Sequence, residues 1–186
     1  LEPQTRINGM GAIFFRCDAH CYPNKLMQSL LAYLKQSGVQ LLPNEEVTSF
    51  EKTAGKISRV ITSGAAGEKL AYETNEVILA TGSWSQPVAR LLDTRLPLMP
   101  GRGYSVTLEN SPYRVNHPAI LLEGRAAITP MDGNKIRFGG TMEITSHKTP
   151  PRMNRVEGLL QAVKRFFPDF DVPTPPREKI WYGYRP

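Results

Sequence analysis

The spacing of apolar residues predicts two amphipathic helices. In residues 23–38, apolar side chains recur every three or four positions, with a proline near the start and a glycine at the end. In the second segment, residues 154–167, Asn154 and Glu157 have the spacing of a capping box, and Pro168 ends the pattern. Each predicted helix presents one apolar face.

Shorter apolar segments predict strands. Residues 39–52 contain two strand-like pieces, and residues 56–63 and 67–74 follow with tight turns between them. This order is typical of a small antiparallel meander. Residues 8–16 read as a further short strand after a glycine-rich turn.

Residues 76–80 differ because their apolar side chains are consecutive, as in a strand buried on both faces. Ala80, Thr81 and Gly82 end this segment, and Trp84 follows. A turn with so few side chains leaves its backbone uncovered, and ligands bind at the carboxyl ends of strands in open α/β sheets. The segment therefore fits a ligand-binding turn, although an ordinary strand-to-helix turn explains it equally well.

After the turn, the pattern predicts a short helix capped by Ser85 and running to Leu92. From Leu96 onward, strands alternate with proline- and glycine-rich turns, and residues 132–134 (Asp-Gly-Asn) are typical of a hairpin. The predicted fold class is α/β in the broad sense (α+β). It combines the first helix, the meander and the buried strand with a mainly antiparallel sheet, which residues 8–16 would join.

Composition and charge narrow the function classes. The 186 residues are 40% hydrophobic and 22% charged, which is ordinary for a globular protein. No apolar run approaches the roughly 20 residues that span a membrane. The net charge is +6, but the basic residues are scattered, so we predict a solvated basic surface and no nucleic-acid partner. A non-catalytic basic binding domain stays open as an alternative.

Two cysteines flank a histidine in the segment Cys17-Asp18-Ala19-His20-Cys21. Zinc sites normally need four ligands in paired clusters, and the sequence has no second cluster. We therefore predict no metal site, and reduced thiols rather than a disulfide. Reduced thiols agree with a cytoplasmic location.

Five segments, taken in order, resemble the D-amino-acid oxidase (DAO) family of FAD-dependent oxidoreductases. Among its members, the chain is most similar to the D-amino-acid dehydrogenase and glycine oxidase branch. No single motif is specific, but the order and spacing agree over essentially the whole chain. The segments are DAHCYPNKLMQSLLAYLKQSGVQLLPNEEV, NEVILATGSWSQPVARLL, RLPLMPGRGYSVTL, KIRFGGTMEI and WYGYRP.

The resemblance implies FAD as the cofactor. It assigns Val47 to a backbone contact with the adenine, although a plain core position would suit this valine as well. It assigns Ala80, Thr81 and Gly82 to the turn that passes the dinucleotide, with Trp84 beside them.

The resemblance also implies a substrate site. Arg185 corresponds to the arginine that pairs with the substrate carboxylate, and a guanidinium forms two parallel hydrogen bonds with such a group. Tyr104 falls on the substrate-domain strand that faces the flavin, although a core or rim position would suit this tyrosine as well. Arg102 could help to hold an anionic substrate, but it is expected to form a surface salt bridge, and Trp181 is expected to be a core residue.

The implied reaction is oxidation of a D-amino acid or a glycine-like amino acid. Hydride passes to flavin N5, and water hydrolyses the resulting imino acid to a keto acid and ammonia. No strong protein base is needed, so no residue is assigned as catalytic. A secondary amine, such as sarcosine or a proline-like ring, is the alternative substrate, and oxidase versus dehydrogenase activity stays open.

The resemblance also predicts the domain organisation. Residues 18–96 would form part of a Rossmann-like FAD-binding domain, and residues 1–17 and 97–182 would form the substrate-binding domain with its mainly antiparallel sheet. Residues 183–186 would start a return to the FAD-binding domain. The glycine-rich dinucleotide fingerprint and the flavin-cradling segment after Arg-Pro are not found. We therefore expect the central part of a longer flavoenzyme, which would not retain FAD tightly alone. Peripheral membrane association of the full-length protein and its oligomeric state stay open.

Overall fold

The structure, a computed structural model, describes residues 1–186 and divides the chain into two units. We call Cys17–Leu98 the meander unit, and Leu1–Arg16 together with Met99–Pro186 the sheet unit. Helices and antiparallel sheets occur together, so the predicted α+β class is confirmed. The roles of the units as FAD-binding and substrate-binding domains stay predictions.

The meander unit contains two helices and a three-stranded sheet. Its strands pair antiparallel in chain order, as the apolar pattern predicts. The predicted first helix is present, with a proline in its first turn. The elements are α1 (Pro23–Gln36), β1 (Glu46–Thr53), β2 (Lys56–Ser63), β3 (Lys69–Glu73), a 3₁₀ turn (Gly82–Trp84) and α2 (Ser85–Arg90).

The strand predicted for residues 76–80 is wrong. These residues form no strand, and Ile78 is 89% exposed. Consecutive apolar residues form a strand only where neighbouring strands pair with their backbone groups, and no strand of the meander unit does so. Residues 39–42 also lie outside any strand, so the first of the two pieces predicted in 39–52 is wrong.

The start of α2 differs slightly from the prediction. Ser85 is its first residue rather than its cap, and Trp84 holds the capping position. The Ser85 hydroxyl donates to the carbonyl oxygen of Gly82 at 2.8 Å. The serine therefore stabilises the bend before the helix rather than the free N–H groups of the helix.

The sheet unit contains five antiparallel strands and one long helix. The strand order across the sheet is β5-β6-β7-β4-β8, so β8 lies at one edge. The predicted hairpin joins β6 to β7, with Gly133 and Asn134 at φ of 71° and 57°. The elements are β4 (Gly101–Leu108), β5 (Ala119–Leu121), β6 (Ala126–Met131), β7 (Lys135–Ile144), α3 (Met153–Phe166) and β8 (Trp181–Arg185).

One face of this sheet, the inner face, packs against α3 and forms the core. Val106, Ile128 and Phe138 of the strands are buried with Val156 and Val163 of α3. Full burial of each such side chain contributes about 1.5–3 kcal/mol relative to exposure. Because side chains alternate along a strand, the intervening residues lie on the opposite face, which we call the outer face.

Two predicted details of the sheet unit are wrong. Residues 8–16 form no strand, because two glycines weaken the segment and no strand pairs with it. Asn8 ties the start of the segment to the unit: its backbone N–H donates to the Phe166 carbonyl oxygen at 2.8 Å, and its side-chain amide donates to the Arg165 carbonyl oxygen at 3.3 Å. Asn154 does not cap α3, since Arg152 occupies that position without a side-chain capping bond.

Candidate functional site

Arg185 lies on the outer face of the sheet, above backbone that carries few side chains. In the register of β4 and β8, Arg185 is opposite Gly101 and Gly183 is opposite Gly103. The Arg185 side chain is exposed. At Gly103, no heavy atom lies within 4 Å of the position that a Cβ would take, so the backbone there is open.

Two apolar side chains flank the open backbone at Gly103. The indole of Trp181 comes within 2.6 Å of the position of a Cβ on Gly183. The sulfur of Met142 lies 2.9 Å from the corresponding position on Gly101. We call this region, with Gly103 at its base and Trp181 and Met142 at its sides, the glycine recess. Its geometry suits a small, flat ligand that carries an anionic group for Arg185.

A buried ion pair lies on the inner face of the same strands. Arg102 on β4 and Glu143 on β7 are opposite each other, and their side chains are 0% and 3% exposed. Nε and Nη2 of Arg102 donate to Oε1 of Glu143 at 3.0 and 2.5 Å. The guanidinium also donates to the carbonyl oxygens of Thr149 and Pro150. The prediction of a surface salt bridge for Arg102 is therefore wrong. Arg102 does form a salt bridge, but the pair is buried on the inner face.

Glu143 was not identified from the sequence. Its Oε2 atom is buried without a hydrogen-bond partner, with the Nε atoms of Arg152 and Arg155 each 3.7 Å away. Burial alone would raise the pKa of this carboxyl, but hydrogen bonds from Tyr104 and Arg102 outweigh it, so the pKa is lowered. The sequence signal that could have identified Glu143 is a charged residue within the apolar pattern of β7.

The structure brings Arg185 and Tyr104 onto neighbouring strands but onto opposite faces. Tyr104 is 2% exposed; its hydroxyl donates to Oε1 of Glu143 at 2.5 Å and accepts from the Arg152 N–H at 3.0 Å. Burial and the bond to Glu143 raise the pKa of Tyr104. The substrate-binding roles of both residues stay predictions, and a direct contact by Tyr104 would require its surroundings to move.

Trp181 is not the core residue that the sequence suggested. It is 58% exposed, because it lies on the outer face of an edge strand. Its register partner on β4 is Ser105. The alternation of β8 therefore places Trp181 on the same face as Arg185, whereas Tyr182 and Tyr184 face inward toward Arg102.

The residues predicted to contact FAD lie in the meander unit. Val47 is half-buried in β1, and Ala80 to Gly82 form an exposed bend. Gly82 has φ of 55°, and no heavy atom lies within 4 Å of the position of a Cβ on it. Trp84 is half-exposed beside this bend, and its N–H donates to the Thr81 carbonyl oxygen. The uncovered backbone fits contact with a planar group, while each FAD contact stays a prediction.

The remaining features concern the cysteines, possible metal ligands and the length of the helices. Cys17 and Cys21 are exposed free thiols. We find no group of three or more histidine, cysteine, aspartate or glutamate side chains that could hold a metal ion. None of the helices has the length and apolar content needed to cross a membrane.

Two curated relatives match most of the chain. Hydrogen cyanide synthase subunit HcnC of Pseudomonas aeruginosa is 27% identical over 186 residues, covering 100% of this chain and 43% of the relative. The D-amino acid dehydrogenase of Chromohalobacter salexigens is 28% identical over 171 residues, covering 91% of this chain and 38% of the relative. The chain thus spans less than half the length of these relatives.

A solved structure shares the fold. The L-proline dehydrogenase from P. horikoshii superposes with a TM-score of 0.71 at 19% identity, covering 87% of this chain and 43% of that structure's chain. The sequence profile of the DAO family, described as FAD dependent oxidoreductase, matches residues 1–186. The order of segments noted in the sequence and this full-length match agree, and the chain belongs to the DAO family of FAD-dependent oxidoreductases.

Proposed function

We propose that this chain forms part of an FAD-dependent enzyme that oxidises a small amino acid, either a D-amino acid or a glycine-like one. One observation carries the proposal: the exposed guanidinium of Arg185 stands on the outer face beside the glycine recess. The name of the dehydrogenase relative supports an amino-acid substrate. We propose the sheet unit as the substrate-binding domain and the meander unit as a partial FAD-binding domain.

Arg185 would bind the substrate through its carboxylate. Two parallel N–H donors of a guanidinium match the two carboxylate oxygens, which fixes the orientation of the ligand as well as its position. The open backbone at Gly103 lets a ligand approach the sheet closely. Orientation of the substrate is then the main contribution of these residues to the rate.

Val47, the bend at residues 80–82 and Trp84 would hold the cofactor in the meander unit. When bound, FAD would accept a hydride from the substrate α-carbon, and water would hydrolyse the imino acid to a keto acid and ammonia. We assign no catalytic base to this chain.

We propose that Tyr104 supports this site from the inner face. Its hydroxyl holds Glu143, which in turn pairs with Arg102. Arg102 contacts the hydroxyl of Tyr184, the residue before Arg185, at 3.4 Å. These contacts join β7, β4 and β8, and they would fix the strand from which Arg185 projects.

The proposed function is tested with the complete protein, loaded with FAD, under anaerobic conditions. Glycine, D-alanine, D-leucine, sarcosine and D-proline are added separately, and loss of the absorbance of oxidised flavin is followed. We expect reduction by at least one primary amino acid, with release of keto acid and ammonia. Reduction only by sarcosine or D-proline would establish the secondary-amine alternative, and reduction by none would refute amino-acid oxidation.

We also propose a cytoplasmic location for the protein. Fractionation of cells that express the complete protein tests it, and recovery in the periplasm or the culture medium would contradict it.

A further inference from the structure

We infer that Trp181 is a specificity-determining residue, whose indole receives the side chain of the substrate and favours apolar side chains over the hydrogen of glycine. This inference rests on the proposed function, because it takes the substrate carboxylate to be bound by Arg185. It concerns an aromatic side chain that sequence reasoning had placed in the core.

The position of the indole is the first observation. Trp181, Gly183 and Arg185 alternate along β8 and lie on the same face. The ring atoms of Trp181 lie over Gly183, with the closest only 2.6 Å from the position of a Cβ there. The indole therefore extends along the strand toward Arg185 rather than away from it.

Two neighbouring groups hold the indole in this orientation. The guanidinium carbon of Arg137 lies 5.1 Å from the ring centroid, within the range of a cation–π interaction. Gly183 supplies backbone beneath the ring, where any larger residue would collide with it. A ring with this support loses little conformational freedom when a ligand contacts it.

The chemistry around the ring indicates the kind of side chain that it would meet. More than half of the surface of Trp181 is exposed, so the ring offers a contact surface rather than filling the recess. Met142 and Ile144, on the outer face of β7, are also exposed apolar residues. A ligand substituent next to Arg185 therefore meets mainly apolar surface, and transfer of an apolar group from water to such a surface is favourable.

The test compares kcat/KM for D-leucine with kcat/KM for glycine in the complete, FAD-loaded protein. We expect W181A to lower the ratio of kcat/KM for D-leucine to kcat/KM for glycine about tenfold or more, since even one methylene contact is worth about tenfold. W181F, which keeps an aromatic surface, should retain most of the preference. I120A is the matched control, because Ile120 is an exposed apolar residue on the more distant strand β5.

A second measurement does not depend on turnover. Isothermal titration calorimetry compares binding of 3-methylbutanoate with binding of acetate, two carboxylates that lack an amine and differ in their apolar group. We expect W181A to weaken 3-methylbutanoate about tenfold and acetate by less than about twofold.

The outcomes separate this inference from the function on which it rests. If R185M leaves acetate binding and amino-acid oxidation unchanged, the proposed function itself fails. If R185M abolishes them but W181A weakens both carboxylates equally, or improves D-leucine, Trp181 is structural or obstructive and only the specificity inference fails. Selective loss of D-leucine and 3-methylbutanoate in W181A establishes it.

Discussion

Arg102 and Glu143 form a buried ion pair that joins neighbouring strands one residue away from the glycine opposite Arg185. The pair lies on the inner face, whereas Arg185 projects from the outer face. The buried pair therefore holds β4 and β7 together, whereas the exposed guanidinium on the neighbouring strand β8 is available to a ligand.

Removing one partner of the buried pair should destabilise the protein strongly. We expect E143A to lower the free energy of unfolding by about 3–5 kcal/mol, because Arg102 would stay buried with an uncompensated charge. The measurement is urea unfolding followed by circular dichroism. E109A is the control, since Glu109 pairs with Lys135 at the surface and should contribute at most about 1 kcal/mol. Equal losses in the two variants would show that the buried pair is not important for stability.

The same pair should make stability depend on pH. Burial favours the neutral form of Glu143, but its bonds to Tyr104 and Arg102 more than compensate, so the folded-state pKa lies below the ordinary value of 4.5. As the pH falls, the Glu143 carboxyl is therefore protonated at a higher pH in the unfolded state than in the folded state. Its contribution to the free energy of unfolding is complete above about pH 4.5 and is lost as the pH falls through the folded-state pKa. Unfolding free energies of wild type and E143Q, measured from about pH 7 to about pH 3, should converge as the pH falls. A constant difference between them would contradict this.

Deleting the hydroxyl of Tyr104 should affect stability rather than substrate binding. Y104F removes one of the hydrogen bonds to Glu143 and leaves the Arg152 N–H without its partner, which costs about 1–3 kcal/mol. We expect the KM of the enzyme to stay within about twofold. Y33F serves as the control for unfolding, because Tyr33 is exposed. A stable Y104F variant with a steeply raised KM would instead indicate direct contact between this hydroxyl and the substrate.

Filling the glycine recess should lower kcat/KM and leave stability nearly unchanged. A side chain at Gly103 meets no atom within 4 Å, so G103V should leave the free energy of unfolding within about 1 kcal/mol of wild type. The isopropyl group would occupy the space next to Arg185, and we expect kcat/KM to fall at least about tenfold. G139V is the matched control, because Gly139 lies further along the outer face of β7. Unchanged kcat/KM in G103V would place the ligand elsewhere.

The local sequence pattern predicts hairpins and helices correctly, because helical periodicity and turn residues determine structure within a few positions. The turn at Gly133 and Asn134 and the helices α1 and α3 are examples. The strand predicted for residues 76–80 failed because a strand depends on partners that the local sequence does not specify. The same limit explains the error at residues 8–16.

The site was predictable only in part. Arg185 was identified through a family resemblance, and its exposure on the outer face agrees with a binding role. The sequence pattern does not point to Glu143 and wrongly predicts a core position for Trp181, because the face that a residue occupies is set by strand register and by the edge position of β8. The burial of Arg102 likewise depends on its partner Glu143 on β7, which the sequence around Arg102 does not specify.

The most direct measurement is kcat/KM for an amino acid in the R185M variant of the complete, FAD-loaded protein. Methionine keeps much of the length of the side chain but cannot pair with a carboxylate, so we predict a loss of at least about a hundredfold. R177M, at an exposed arginine outside the sheet, should retain the wild-type value. If R185M retains it as well, the substrate carboxylate is not bound by Arg185 and the proposed site is wrong.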